Sequence, residues 1–315
     1  MMRRVLVGML IGPMAIVLAQ QQAPVFRGGT DVVALDVTVQ DGRTPVLGLK
    51  PSDFEVRDNG VPQVVTDVTY GRLPIDLRLV FDTSGSISED QLQGYLRAMT
   101  QVAGALQSDD RCDIIAFSAR VVEVAAQQHP PVKIDLHRAE PNATSFFDAV
   151  SLALITAPVP GRRQLTIVMS DGIDNASLFD QGMLADMAKR TDAVVYAISP
   201  AAQMPRPTVE KEKMTKDRLG LLASTTGGRI ITADRDVAPA FLNALDEFRR
   251  SYVVVYTATG VKREGWHHVA IAVRGSTKYT VRARQGYMGT GLFSTASVPR
   301  VPEVAGVPTR RPPAP

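Results

Sequence analysis

Between residues 75 and 250 apolar runs alternate with stretches of helical period, and that alternation leaves few architectures open. Residues 77–81, 112–117, 120–126, 165–169 and 193–198 read as strands. Several are apolar throughout, the pattern of parallel strands covered on both faces. Between them the spacing predicts helices. Leu92, Tyr95, Leu96, Met99, Val102 and Leu106 recur on one helical face, with Ser88 and Gln91 placed as a capping box. A second helix follows Thr144, and a third runs through Met183 and Met187. A fourth holds Leu219 and Leu222 and stops at Gly227-Gly228. A last one buries Val237, Phe241, Leu245 and Phe248. Strand–helix alternation of this kind implies an α/β fold, a doubly wound, mostly parallel sheet with helices on both faces.

The flanks have a different period. Residues 25–72 show short strands. Val33, Leu35 and Val37 face one way while Asp36 and Thr38 face the other, and Asp41-Gly42 and Asn59-Gly60 supply turns. Residues 63–70 read as one further strand. After Arg250 the strands return, at 252–257, 268–273 and 279–283. Neither β segment can bury a face alone. The expectation is that 251–290 packs with 25–72 in a small β-sandwich, with the domain at 75–250 inserted between its halves. Residues 204–217 look like an exposed loop leading into a helix.

Both ends are distinct again. Arg3 and Arg4 precede an apolar run from Val5 to Ala19, and Val17-Leu18-Ala19 ends it with short side chains. The run is short for a membrane span of roughly twenty residues, so residues 1–19 read as a signal peptide and the protein as exported, periplasmic or secreted. Residues 297–315 are proline-rich and read as a disordered tail. The net charge of +3 is carried by these ends. No basic stripe marks the body for nucleic acid. Cys112 is the single cysteine. It cannot form an internal disulfide and reads as a small core residue.

The chemistry concentrates where apolar strands end. The first gives way to Asp82-Thr83-Ser84-Gly85-Ser86. Acid and hydroxyls at alternate positions point one way from extended chain, and all offer oxygen to a hard cation. Thr144 lies just before a helix. Asp171 follows the apolar strand 165–169, in Ser170-Asp171-Gly172. If the strands that carry Asp82 and Asp171 are neighbours, both acids meet at one rim, where sites in open α/β sheets form. Two carboxylates balance a divalent ion. Asp174 reads as a solvated loop acid and Asp148 as a favourable charge at a helix start.

This pattern resembles the metal-ion-dependent adhesion site of von Willebrand factor A domains, over residues 75 to about 250. The flanks more loosely resemble a bacterial exported group, the von Willebrand factor A-related acidobacterial domain, through Leu49-x-x-x-Asp53-Phe54-x-Val56 before Asn59-Gly60 and through Gly286-Tyr287. The family resemblance implies that Ser84, Ser86 and Thr144 hold a metal through hydroxyls. It implies that Asp82 and Asp171 bind it directly or through water. One position stays open for the Asp or Glu of a protein partner. Magnesium (Mg2+) is the expected ion, with manganese or calcium as substitutes. One departure is that Asn142-Ala143 stands where many members have two glycines.

Enzyme signatures are missing. There is no Gly-x-Ser-x-Gly, no phosphate-binding glycine loop and no His-Glu-x-x-His. His129, His137, His267 and His268 have no ligand spacing, and His267 and His268 read as surface residues. A binding module is therefore the leading expectation. A metal-assisted hydrolase is one alternative, and a scaffold merely stabilised by its metal is the other.

Overall fold

The protein is described here from a computed structural model, which covers residues 32–71, 73–85, 87–134, 143–200 and 209–289. The expected signal peptide, the proline-rich tail and Ser86 lie outside those residues.

The chain begins with β1 (Val32–Asp41), β2 (Thr44–Pro45), a 3-10 turn at Pro51–Asp53, β3 (Phe54–Asp58), β4 (Val61–Gln63) and β5 (Val65–Tyr70). The central part follows: β6 (Ile75–Asp82), α1 (Glu89–Gly104), β7 (Arg111–Phe117), β8 (Val121–Gln128), α2 (Phe146–Leu154), β9 (Arg163–Met169), α3 (Gln181–Arg190), β10 (Val194–Pro200), α4 (Val209–Thr226), β11 (Ile230–Ala233) and α5 (Ala238–Arg249). It closes with β12 (Tyr252–Thr257), β13 (Gly265–Val273), β14 (Thr280–Arg282) and β15 (Gly286–Gly289).

The central sheet has the order β11-β10-β9-β6-β7-β8. Its pairings are parallel except at the β7–β8 edge, which is antiparallel. The apolar runs are buried because both faces are covered. Leu77, Leu79 and Phe81 of β6 join one cluster with Leu92, Tyr95 and Met99 of α1 and Phe241 and Phe248 of α5. Val80, one step out of phase, joins a second cluster with residues of α2, α3 and α4. Cys112 sits in the first cluster, and burial pushes its thiol up to about 12. It stays protonated and behaves as an apolar side chain. The start of α1 is closed as a capping box, with Ser88 N donating to Gln91 Oε1 and Gln91 N donating to Ser88 Oγ.

The terminal strands form two smaller sheets. β1 pairs with β12 and β14, and β12 with β5, while β13 lies between β15 and β3. Their inner faces share one core, which includes Leu35, Val37, Phe54, Val56, Tyr252 and Tyr256. Residues far apart in sequence therefore complete one another, and the chain leaves this unit at β5 and re-enters it at β12.

Three local expectations are corrected. Residues 63–70 are not one strand. Val64 is 78% exposed, and the chain passes there from the sheet holding β3 and β4 to the one holding β5. α4 begins at Val209, inside the stretch expected to be a loop. The helix expected through Met183 and Met187 is α3, which turns Leu184 and Ala188 inward. His267 is buried, not superficial. Its Nδ1 lies 2.7 Å from Asp58 Oδ1, and its ring stacks on Tyr287 at 4.5 Å. Tyr287 and Tyr256 donate their hydroxyls to Asp58 Oδ2, at 2.6 and 3.1 Å. Alternation along β13 sends one histidine of the adjacent pair inward, and only the carboxylate of the neighbouring strand makes that position tolerable.

The sandwich is seated on the α/β part by buried polar contacts. Arg163, at the start of β9, reaches Asp36 of β1 at 2.6 Å and lies 4.0 Å over the ring of Phe248. The outer face of β1 thus meets protein rather than water. Glu247 of α5 gathers Tyr196, Arg229 and, from β14, Arg282. Burial alone would raise the Glu247 carboxyl. The two guanidiniums outweigh that and hold it below its ordinary value. Close approach completes the junction. A Cβ on Gly227 would stand 2.6 Å from Arg284 N, and one on Gly228 would stand 1.9 Å from Val195 O. Backbone cannot yield as a flexible side chain does. Gly228→Ala is expected to cost about 1–3 kcal/mol, read as a lower urea midpoint at unchanged slope.

Candidate metal centre

β6 and β9 are adjacent and parallel, with Phe81 opposite Met169. Asp82 and Asp171 therefore leave the same edge of the sheet side by side. Asp82 is 1% exposed and Asp171 8%. Asp82 Oδ1 accepts from Ser84 N at 2.9 Å, and Oδ2 accepts from Ser170 Oγ at 3.0 Å. Burial pushes the Asp82 carboxyl up to about 6. Hydrogen bonds from Ser84 oppose the rise, the charge of Asp171 adds to it, and the Ser170 hydroxyl moderates it. None of these influences is cationic. Tyr95 of α1 feels the same pair: burial raises its hydroxyl, and both carboxylates raise it further.

Three loops interlock around the acids. Thr83 donates its backbone N–H and its hydroxyl to Phe117 O at the end of β7. Ser145 N donates to Ser118 O at 2.7 Å, which pins the loop before α2 to β7. Thr144 O accepts from Asn175 N and Ala176 N, and Thr144 N donates to Asn175 Oδ1 at 2.7 Å. Thr144, 7% exposed, is thereby clamped to the loop that carries Asp171. Asp82, Ser84, Thr144 and Asp171 thus come from loops joined to one another at one rim. Ser86 lies outside the described residues.

Several residues that hold this arrangement carry little local signal of that role. Asp174 is not a free loop acid. Its Oδ2 accepts from Phe147 N at 2.9 Å, so it caps the first turn of α2 across the gap. Asp148 answers from the other side, accepting from Leu178 N and Phe179 N at 3.0 and 2.9 Å. For Ser170 and Asn175 the available signal is their closeness in sequence to Asp171. Carboxylates that satisfy backbone N–H groups of a distant segment leave no periodic trace.

The donor set fits a hard divalent cation. Two buried acids of like charge lie together, and two hydroxyl residues border them. Among the described residues no group of three or more His, Cys, Asp and Glu side chains could hold a metal, so a centre here must draw on hydroxyl oxygens. Oxygen-only coordination suits magnesium, calcium or manganese. An ion here would be held by Asp82, Asp171, Ser84 and Thr144, and it would supply an electrophilic position for an external oxygen.

Without an ion the raised Asp82 carboxyl sets a pH dependence. The folded state holds its proton up to about pH 6, whereas the unfolded chain releases it near pH 4. The metal-free protein should therefore be more stable at pH 4 than its other groups dictate and lose that increment as pH rises to 6, by on the order of 3 kcal/mol. Chemical denaturation in EDTA checks this, and Asp82→Asn should flatten that part of the profile.

A family model described as the von Willebrand factor type A domain matches residues 76–245. Several solved structures align with parts of the chain at low identity. Proximal thread matrix protein 1 from the mussel byssus is 16% identical over 56% of this chain and 48% of its own, at a TM-score of 0.45. A form of the same protein with a zinc-occupied MIDAS motif is 14% identical over 61% of this chain and 50% of its own, at 0.46. The manganese-loaded TRAP protein of Plasmodium vivax is 17% identical over 74% of this chain and 99% of its own, at 0.39. This chain spans about half the length of the mussel structures it matches. No curated protein matches it.

Proposed function

Because this chain belongs to the von Willebrand factor type A family, we propose that it is a metal-dependent protein-binding module that captures an acidic side chain. Asp82, Ser84, Ser86, Thr144 and Asp171 hold one divalent ion, magnesium in the first instance. A carboxylate of the partner takes the position left open. The observation that carries this reading is the pair of buried acids, Asp82 and Asp171, meeting at the carboxyl ends of adjacent parallel strands.

The chain's own residues do the preparatory work. Ser84 and Ser170 orient the two oxygens of Asp82. Asn175 fixes the loop of Thr144, and Asp174 and Asp148 brace α2 against the loop after β9. Such bracing means that little order has to be gained on binding, which favours affinity. No histidine or lysine is among the five proposed ligands, and in this reading both carboxylates among them are taken up by the ion, so the ligand set leaves no general base over. Our reading is of a binder and not an enzyme. We place it outside the cytoplasm, periplasmic or secreted, on the strength of Arg3, Arg4 and the apolar run to Ala19. Among the described residues no helix is long and apolar enough to cross a membrane.

Magnesium should raise the melting temperature. At one hundred times the dissociation constant the gain is about 2.7 kcal/mol, and Asp82→Ala should abolish the increment. Capture of partners from an envelope fraction should be lost in EDTA and with Asp82→Ala. If ion binding stabilises the fold while the captured set stays the same in EDTA, the ion is structural only and the binding reading fails. Amino-terminal sequencing of the exported protein should begin at Gln20.

A further inference from the structure

One turn reaches both acids of the rim. Gly172 follows Asp171 and holds a left-handed backbone, with φ at +72°, which a residue without Cβ adopts at no steric cost. That conformation aims two successive N–H groups back at the site. Gly172 N donates to Ser170 Oγ at 3.0 Å, and the Ser170 hydroxyl donates to Asp82 Oδ2. Ile173 N donates to Asp171 Oδ1 at 3.0 Å. One N–H therefore serves each carboxylate, and a rotation of the turn would disturb both.

Arg218 grips this turn from outside. It lies on α4 and donates from Nη1 to Gly172 O at 2.8 Å. That carbonyl and the N–H of Ile173 belong to the same peptide unit. They point in opposite directions across a trans peptide, so the unit is held at one end by a guanidinium and ends at the other on Asp171. A cation on the carbonyl polarises the unit and strengthens the donor at its far end. Phe147 steadies the arginine, whose guanidinium lies 5.2 Å over its ring. Phe147 itself stands on the first turn of α2, where Asp174 caps its N–H. The Nε of Arg218 is buried with no hydrogen-bond partner among the described residues. Such a group is unfavourable. An apolar side chain would pack there without that cost, so the contact that distinguishes arginine is the one with Gly172.

We infer that Arg218 is a positioning residue of the metal centre: it fixes the peptide between Gly172 and Ile173, and through that turn the carboxylates of Asp171 and Asp82, in the arrangement that receives the ion. This rests on the metal-dependent reading above. Arg218 acts through backbone and not as a ligand. Removing a group that orients metal ligands in this way weakens affinity about 10–100-fold.

The test is a titration of the full chain with manganese, read by electron paramagnetic resonance of the free ion, with magnesium as competitor. Arg218→Met keeps the aliphatic stem and removes the guanidinium. It should weaken both ions about 10–100-fold. A second readout needs no ion. In EDTA, amide hydrogen exchange at Ile173 should quicken at least about tenfold in the variant, while amides of β1 and β12 keep their wild-type protection and certify the fold. If Arg218→Met does not fold, Arg218→Gln answers in its place. Ion affinity within about twofold of wild type shows that Arg218 only packs, and overturns the inference while the metal reading stands. Weakened binding with Ile173 exchange unchanged overturns the route through the peptide. A wild-type chain that binds no ion, or binds it equally well as Asp82→Ala, overturns the metal reading and this inference with it.

Discussion

Two carboxylates of like charge are buried next to each other, and the surrounding structure is organised to keep them there. The cost of taking Asp82 from water, with a smaller addition from the charge of Asp171, raises the Asp82 carboxyl to about 6. Hydrogen bonds from Ser84 and Ser170 offset part of that cost. What remains is a pair of adjacent buried acids beside hydroxyl side chains, an arrangement that a bound cation would favour. A fold that holds such a pair in place is prepared for an ion.

That arrangement needs a rigid frame, and the parallel sheet provides it. β6 and β9 are covered on both faces, so their carboxyl ends are fixed by packing on two sides. The loops above them carry many polar groups, but each is tied to a neighbour: Thr83 to β7, Ser145 to the loop after β7, Thr144 to Asn175, and Asp174 to α2. At the far side Arg163 and Glu247 fasten the sandwich to the same sheet.

Buried polar groups recur where segments distant in sequence meet. Asp58 with His267, Tyr256 and Tyr287 ties four strands of the sandwich, β3, β13, β12 and β15, together. Arg282 with Glu247 and Tyr196 ties β14 to α5 and β10. Their geometric demands exceed those of apolar contacts, because an unpaired group in these positions would be penalised. They therefore specify which surfaces meet as well as holding them.

Local sequence determined most of the elements and the identity of the acid and hydroxyl residues. Largely apolar runs at 77–81 and 165–169 read as buried strands, the period of Leu92, Tyr95 and Met99 reads as one face of a helix, and Asp82-x-Ser84 after a strand offers oxygens in one direction. These signals are short-range, and a period or a turn is complete within a few residues. Tertiary structure alone decided that β6 lies beside β9, that Asn175 clamps Thr144, that Asp174 caps a helix instead of facing water, and that His267 turns inward to Asp58. The strand beginning at Val61 likewise breaks at Val64 because it must serve two sheets. Each of those outcomes depends on a partner tens to hundreds of residues away, and a side chain's own neighbours in sequence hold no record of where such a partner will be.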